Sequence, residues 1–153
     1  MCTGFIKKNN DLIYGYNFDI DLNAWDYKII ANKSIFGIAI KVGSTTYFTH
    51  GVTKDGCFAC LPYMNDKNPF VKGRGAKRID LLVNDYLRKK ISFNDLKDII
   101  ENKEISNIKF GSLHALIGNN NGEMMLVEPG VGYSKYDSFA VISNYPLLKE
   151  CKD

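Results

Sequence analysis

A cysteine stands at position 2, preceded only by the initiator methionine. Cysteine is small enough that the methionine before it is often removed. Removal would leave Cys2 with a free α-amino group beside its thiol. Such an amine titrates near pH ~7.7–8.0 and a free thiol near ~8.5. The amine can therefore serve as general base for its own side chain, the arrangement of an N-terminal nucleophile, which needs no histidine. The plainer alternative is a buried residue on an edge strand. Other reactive residue types are less organised. Cys57-Phe58-Ala59-Cys60 has C-x-x-C spacing, but it lies in an apolar, strand-like run. Residues three apart in a strand point to opposite faces, which suits a buried structural pair better than a redox or zinc site. His114 sits among apolar residues and reads as a core histidine. Lys72, Arg74, Lys77 and Arg78 read as a solvated loop and helix start. Gly73-Arg74-Gly75 lacks the rest of a phosphate loop.

The chain that must position Cys2 has 153 residues and a mass of 17.3 kDa, suited to a single domain over residues 1–153. Hydrophobic residues make up 45% and include nine Phe and nine Tyr, ample material for a core. Twenty Lys and Arg against 17 Asp and Glu leave a net charge of +3, which does not call for a nucleic-acid partner. No segment approaches the roughly 18 apolar residues of a membrane span, and residues 1–8 lack the apolar run of a secretory signal. The expectation is a cytoplasmic protein whose four cysteines (Cys2, Cys57, Cys60 and Cys151) form no disulfide framework.

Strands and turns dominate the first sixty residues. Residues 2–7 and 12–19 flank the turn Asn9-Asn10-Asp11 as a hairpin. Further strands are expected over 28–32, 35–42, 45–52 and 57–61, the last buried on both faces. Residues 65–75 read as an exposed loop. From 77 to 89, Ile79, Leu82, Val83, Tyr86 and Leu87 recur at helical spacing. Ser92 is placed to cap a second helix, with Asp95 as its capping-box partner and Phe93, Leu96, Ile99 and Ile100 as its apolar face. Strands return over 112–117, 123–128 and 139–143. Hairpins, two helices and more hairpins predict an α+β fold with antiparallel sheets and a helical hairpin.

Several segments resemble, in order, the choloylglycine hydrolase and penicillin V acylase family. They are Met1-Cys2-Thr3-Gly4-Phe5, Tyr14-Gly15-Tyr16-Asn17-Phe18-Asp19, Asp55-Gly56-Cys57-Phe58-Ala59-Cys60-Leu61, the hairpin containing Ser112-Leu113-His114 and Val127-Glu128, and Ile142-Ser143-Asn144-Tyr145-Pro146. The resemblance implies an Ntn-hydrolase-like fold of the αββα type and cleavage of a linear amide through an N-terminal cysteine, without metal or cofactor. It also implies four roles. Cys2 would be the nucleophile. Asp19 would orient its α-amine, Asn144 would aim a side-chain N–H at the oxyanion, and a second, backbone donor would fall at or near Tyr63. The implied partner is a small acyl-amide substrate. Two departures stand out. Tyr16 occupies the family's arginine position, where a neutral phenol supports a thiolate less than a cation does. The resemblance also covers only the family's N-terminal part, without its later strands, helices and further arginine. This leaves room for a shortened, non-catalytic binding subunit, for self-association, or for a complementing C-terminal half.

Overall fold

The structure, a computed structural model, describes residues 1–21, 23–64, 75–108 and 111–148. Short stretches rich in β-branched and aromatic residues, punctuated by Asn, Asp and Gly, fold into antiparallel ribbons. The opening hairpin pairs β1 (Thr3–Lys8) with β2 (Leu12–Asn17) in the register Gly4↔Tyr16. The far strand β12 (Phe139–Ile142) closes on the other side of β1, with Gly4 opposite Ile142. These three strands form a small sheet in the order β12-β1-β2.

A larger, seven-stranded antiparallel sheet lies beneath it. From one edge to the other it runs β11 (Gly132–Tyr136), β10 (Met124–Glu128), β9 (Ala115–Gly118), β6 (Phe58–Cys60), β5 (Thr45–Thr53), β4 (Ile35–Val42) and β3 (Tyr27–Ala31). Helices α1 (Ile79–Leu87) and α2 (Phe93–Asn102) cover its far face. A two-residue parallel pair, β7 (Lys77–Arg78) with β8 (Ile105–Ser106), ties the start of α1 to the segment after α2.

Period-two alternation sends the two faces of the large sheet into separate cores. Ala39, Ala59, Ala115, Ile117, Met125 and Val127 meet the helices through Ile79, Val83, Leu87 and Leu96. Phe58, Cys60, Leu116 and Leu126 meet the small sheet through Ile6, Ala140 and Ile142. The expected opposition of the two cysteines is observed: Cys57 belongs to the helical core and Cys60 to the intersheet core.

The expected elements are found, with three differences. The first helix starts at Ile79 because Lys77 and Arg78 are engaged by β8. The strand expected from 112 begins at Ala115, since Leu113 donates its N–H to the Asn107 side chain at 2.6 Å and forms only an isolated bridge to Tyr63. Strand β11 was not anticipated, because its polar Gly-Tyr-Ser-Lys-Tyr sequence is an exposed edge specified by pairing to β10. Ser92 and Asp95 make both capping-box bonds, as expected. Residues 65–74 of the expected loop, and with them Lys72 and Arg74, lie outside the described residues.

The small sheet does not cover the whole of the large one. Tyr14 stacks on Phe58 at 4.7 Å and Tyr16 lies over His50 at 4.4 Å, so β2 sits above β6 and β5. The next strands, β4 and β3, have no strand above them among the described residues. Their intersheet-facing residues form an open apolar shelf, where Ile29 is 59% and Phe36 is 55% exposed.

Candidate active site

Antiparallel pairing brings the distant parts of the site together. Cys2 immediately precedes β1, so the strands flanking β1 deliver the ends of β2 and β12 to it. The thiol is almost fully buried, at 7% exposure, with Sγ 3.7 Å from the Asp19 carbonyl oxygen. Asn144 follows β12. Its Oδ1 accepts the Cys2 N–H at 2.5 Å, and its Nδ2 donates to the Tyr63 carbonyl. Rotating the amide would set donor against donor and acceptor against acceptor, so the orientation follows from its partners. One Nδ2 hydrogen is used on Tyr63, and an amide carries two.

All four residues singled out from the sequence come together at this end of the small sheet. The Asp19 carboxylate is exposed and ion-paired with the Met1 ammonium, one residue from Cys2. Asn17 donates from Nδ2 to the Met1 carbonyl at 3.1 Å, holding the same terminus. Tyr63 has an exposed side chain, and its contact with the site is through backbone. Its neighbour bonds run from Met64 N–H to the Ser112 carbonyl at 2.8 Å and from His114 N–H to the Pro62 carbonyl at 3.4 Å. Among the described residues no partner takes the Tyr63 N–H.

A second group supports Asn144. His114 is fully buried and donates from Nε2 to the Ser143 carbonyl at 2.5 Å, with Nδ1 3.5 Å from Glu128 Oε1. The Glu128 carboxylate accepts the N–H groups of Leu147 at 2.6 Å and Leu148 at 3.0 Å. Burial pushes this carboxyl up, but the bonds from His114, Leu147 and Leu148 outweigh it and hold it below the usual glutamate range. The turn carrying Asn144 is thus anchored on both sides. His114 was rightly read as a satisfied core residue. Sequence reasoning missed the part played by Glu128; a carboxylate in the otherwise apolar Met-Met-Leu-Val-Glu run was the available signal, since buried charges are normally paired.

The site contains little positive charge. His50, whose ring lies tilted against Tyr16, is lowered to about 4 by burial and is neutral near pH 7. Burial, with the Cys60 and Cys2 thiols beside it, pushes the Tyr16 phenol far above its ordinary value. The Cys60 thiol is also pushed up by burial. Among the described residues no group of three or more His, Cys, Asp or Glu side chains is placed to hold a metal, and no helix is long and apolar enough to cross a membrane.

Solved structures of the same shape exist despite low sequence identity. A conjugated bile acid hydrolase from Clostridium perfringens superposes over 98% of this chain with a TM-score of 0.65 and 17% identity. The chain shares the fold of this hydrolase. A Caenorhabditis elegans ortholog of N-acylethanolamine-hydrolyzing acid amidase matches over 99% of this chain, with a TM-score of 0.60 and 14% identity. A penicillin V acylase from Agrobacterium tumefaciens matches over 98%, with a TM-score of 0.51 and 12% identity. No protein-family profile and no curated protein sequence matches the chain. The resemblance read from the short motifs therefore holds at the level of fold. This chain spans about 55% of the bile acid hydrolase, 74% of the acid amidase ortholog and 54% of the penicillin V acylase.

Proposed function

We propose that this protein hydrolyses the linear amide bond of an acylated small molecule, with Cys2 as nucleophile once Met1 is removed. One observation carries the reading. Cys2, Asp19, Asn144 and the Tyr63 backbone converge from four separate segments onto one buried thiol at the head of β1.

Loss of Met1 turns the Cys2 nitrogen into an α-amine, next to the Asn144 oxygen and within one residue of the Asp19 carboxylate that now binds the Met1 ammonium. The amine takes the thiol proton, and the thiolate attacks the amide carbonyl carbon as the C–S bond forms. The oxyanion lies between the second Nδ2 hydrogen of Asn144 and the Tyr63 N–H. As the intermediate collapses, the C–N bond breaks and the Cys2 ammonium returns its proton to the departing amine. The amine then deprotonates a water molecule, which attacks the thioester. The acid leaves and the thiol is restored. In the test, intact mass should show a chain beginning at Cys2, and Cys2→Ala should abolish amide cleavage. An active chain that retains Met1 would overturn the mechanism.

The uncovered shelf favours a second reading, in which a further polypeptide completes the small sheet. The outer edge of β2 is unpaired among the described residues, and the apolar shelf lies directly beyond it. An added strand would pair with β2 and cover Ile29 and Phe36 at once. A second copy pairing antiparallel through β2 would drive both shelves into the same layer, so the complement is a different segment. Light scattering tests this reading: the isolated chain should form open-ended assemblies, and a well-behaved monomer would count against any need for a complement.

A further inference from the structure

The Tyr16 hydroxyl is a buried donor with no aligned hydrogen-bond partner among the described residues. It is also in an unusual place. Tyr16 stands opposite Gly4 on β2, facing the intersheet core, and its ring is held against His50 at 4.4 Å and Phe18 at 6.0 Å. Gly4 makes room for it. A Cβ there would meet Cys60 Sγ at 2.6 Å and the Tyr16 ring at 3.1 Å, so the missing side chain leaves room for the ring beside the Cys60 thiol. Leaving a buried hydroxyl unsatisfied is costly, which points to an acceptor that forms only in the working state.

The groups around it narrow the choice of acceptor. Cys2 comes from just before β1, Cys60 from β6, His50 from β5, and Asp19 from the segment after β2. Cys60 is fully buried and its thiol is pushed up by that burial, so it remains protonated. The His50 ring lies over the Tyr16 ring at 4.4 Å and its Nδ1 meets the Thr49 hydroxyl, so it does not bond the phenol. The Asp19 carboxylate faces solvent and the terminal amine. Cys2 is the remaining thiol beside the phenol.

We propose that Tyr16 donates its phenolic hydrogen to the Cys2 thiolate, taking over with a neutral donor the support that a cation would otherwise supply. The proposal rests on the reading of Cys2 as nucleophile. Burial suits the phenol to the role, because it keeps the O–H protonated throughout the working pH range. Donation to a thiolate stabilises the anion, whereas the protonated thiol gains little from it.

Alkylation of Cys2 by iodoacetamide, followed by mass analysis of the Cys2 peptide, tests this without any amide substrate. Tyr16→Phe keeps the ring and its stacking. It should slow alkylation about tenfold near pH ~7 and less than about twofold near pH ~9.5, above the ordinary range of a free thiol. Tyr14→Phe removes a phenol from the same face of β2 that bonds instead to the Gly56 carbonyl; it should leave both rates unchanged. An equal slowing at both pH values, no slowing, or the same effect from Tyr14→Phe would overturn the proposal. Amide cleavage with an indifferent Tyr16 would sink this inference and leave the hydrolase reading intact. Tyr16-dependent alkylation without amide cleavage would do the reverse.

Discussion

The two faces of the seven-stranded sheet are finished to different degrees. On one, α1 and α2 cover the sheet, and Ala59, Ala115, Ile117 and Val127 are all but inaccessible. On the other, three strands cover β5, β6, β9 and β10 but, among the described residues, leave β3 and β4 bare, and the same residue types stand in the open. Ile117 and Ile29 are both strand isoleucines, yet one is fully buried and the other 59% exposed. The helical face is closed by this chain's own elements, whereas the face under the small sheet leaves β3 and β4 open among the described residues.

Substitutions on each face measure that difference. The largest effect is expected on the covered side. Ile117→Ala removes three buried carbons and should cost about 2–5 kcal/mol in denaturant unfolding; a loss below ~1 kcal/mol would mean the helical core is loosely packed. Next is the anchor behind Asn144. Glu128 has its pKa lowered by folding, so the stability it contributes is present above the unfolded value of 4.5 and is lost as pH falls through the lower folded value. Glu128→Gln should destabilise by about 1–3 kcal/mol at neutral pH and flatten the acid limb of the stability curve. An unchanged acid limb would show that the carboxylate does not hold the turn. The smallest effect belongs to the shelf. Ile29→Ala should change stability by less than about 0.5 kcal/mol in the isolated chain; a loss comparable to that of Ile117→Ala would show that something already covers Ile29.

Much of this was legible in the sequence where local rules suffice. The capping box at Ser92, the helical stripe ending at Leu87 and the apolar run through Cys60 each carry their structural meaning within a few residues. The motifs also singled out four residues, Cys2, Asp19, Asn144 and Tyr63, that the fold brings close together. What could not be read depends on pairing at long range. Strand β11 is polar and is specified by β10 alone. The clasp of Glu128 on the backbone of Leu147 and Leu148 joins segments about twenty residues apart, with nothing in their local pattern to announce it. The orphan hydroxyl of Tyr16 is defined by what surrounds it in three dimensions, and its residue type alone signalled only a departure from the expected arginine.

The central claim is that Cys2 forms a covalent acyl intermediate. Incubating the mature chain with a chromogenic acyl anilide, quenching in acid and mapping the modified peptide by mass tests it directly. The account predicts an acyl group on the N-terminal Cys2 peptide, absent from Cys2→Ala and lost as the acid is released. Turnover of the anilide with Cys2 unmodified at every time point, or persisting in Cys2→Ala, would contradict it.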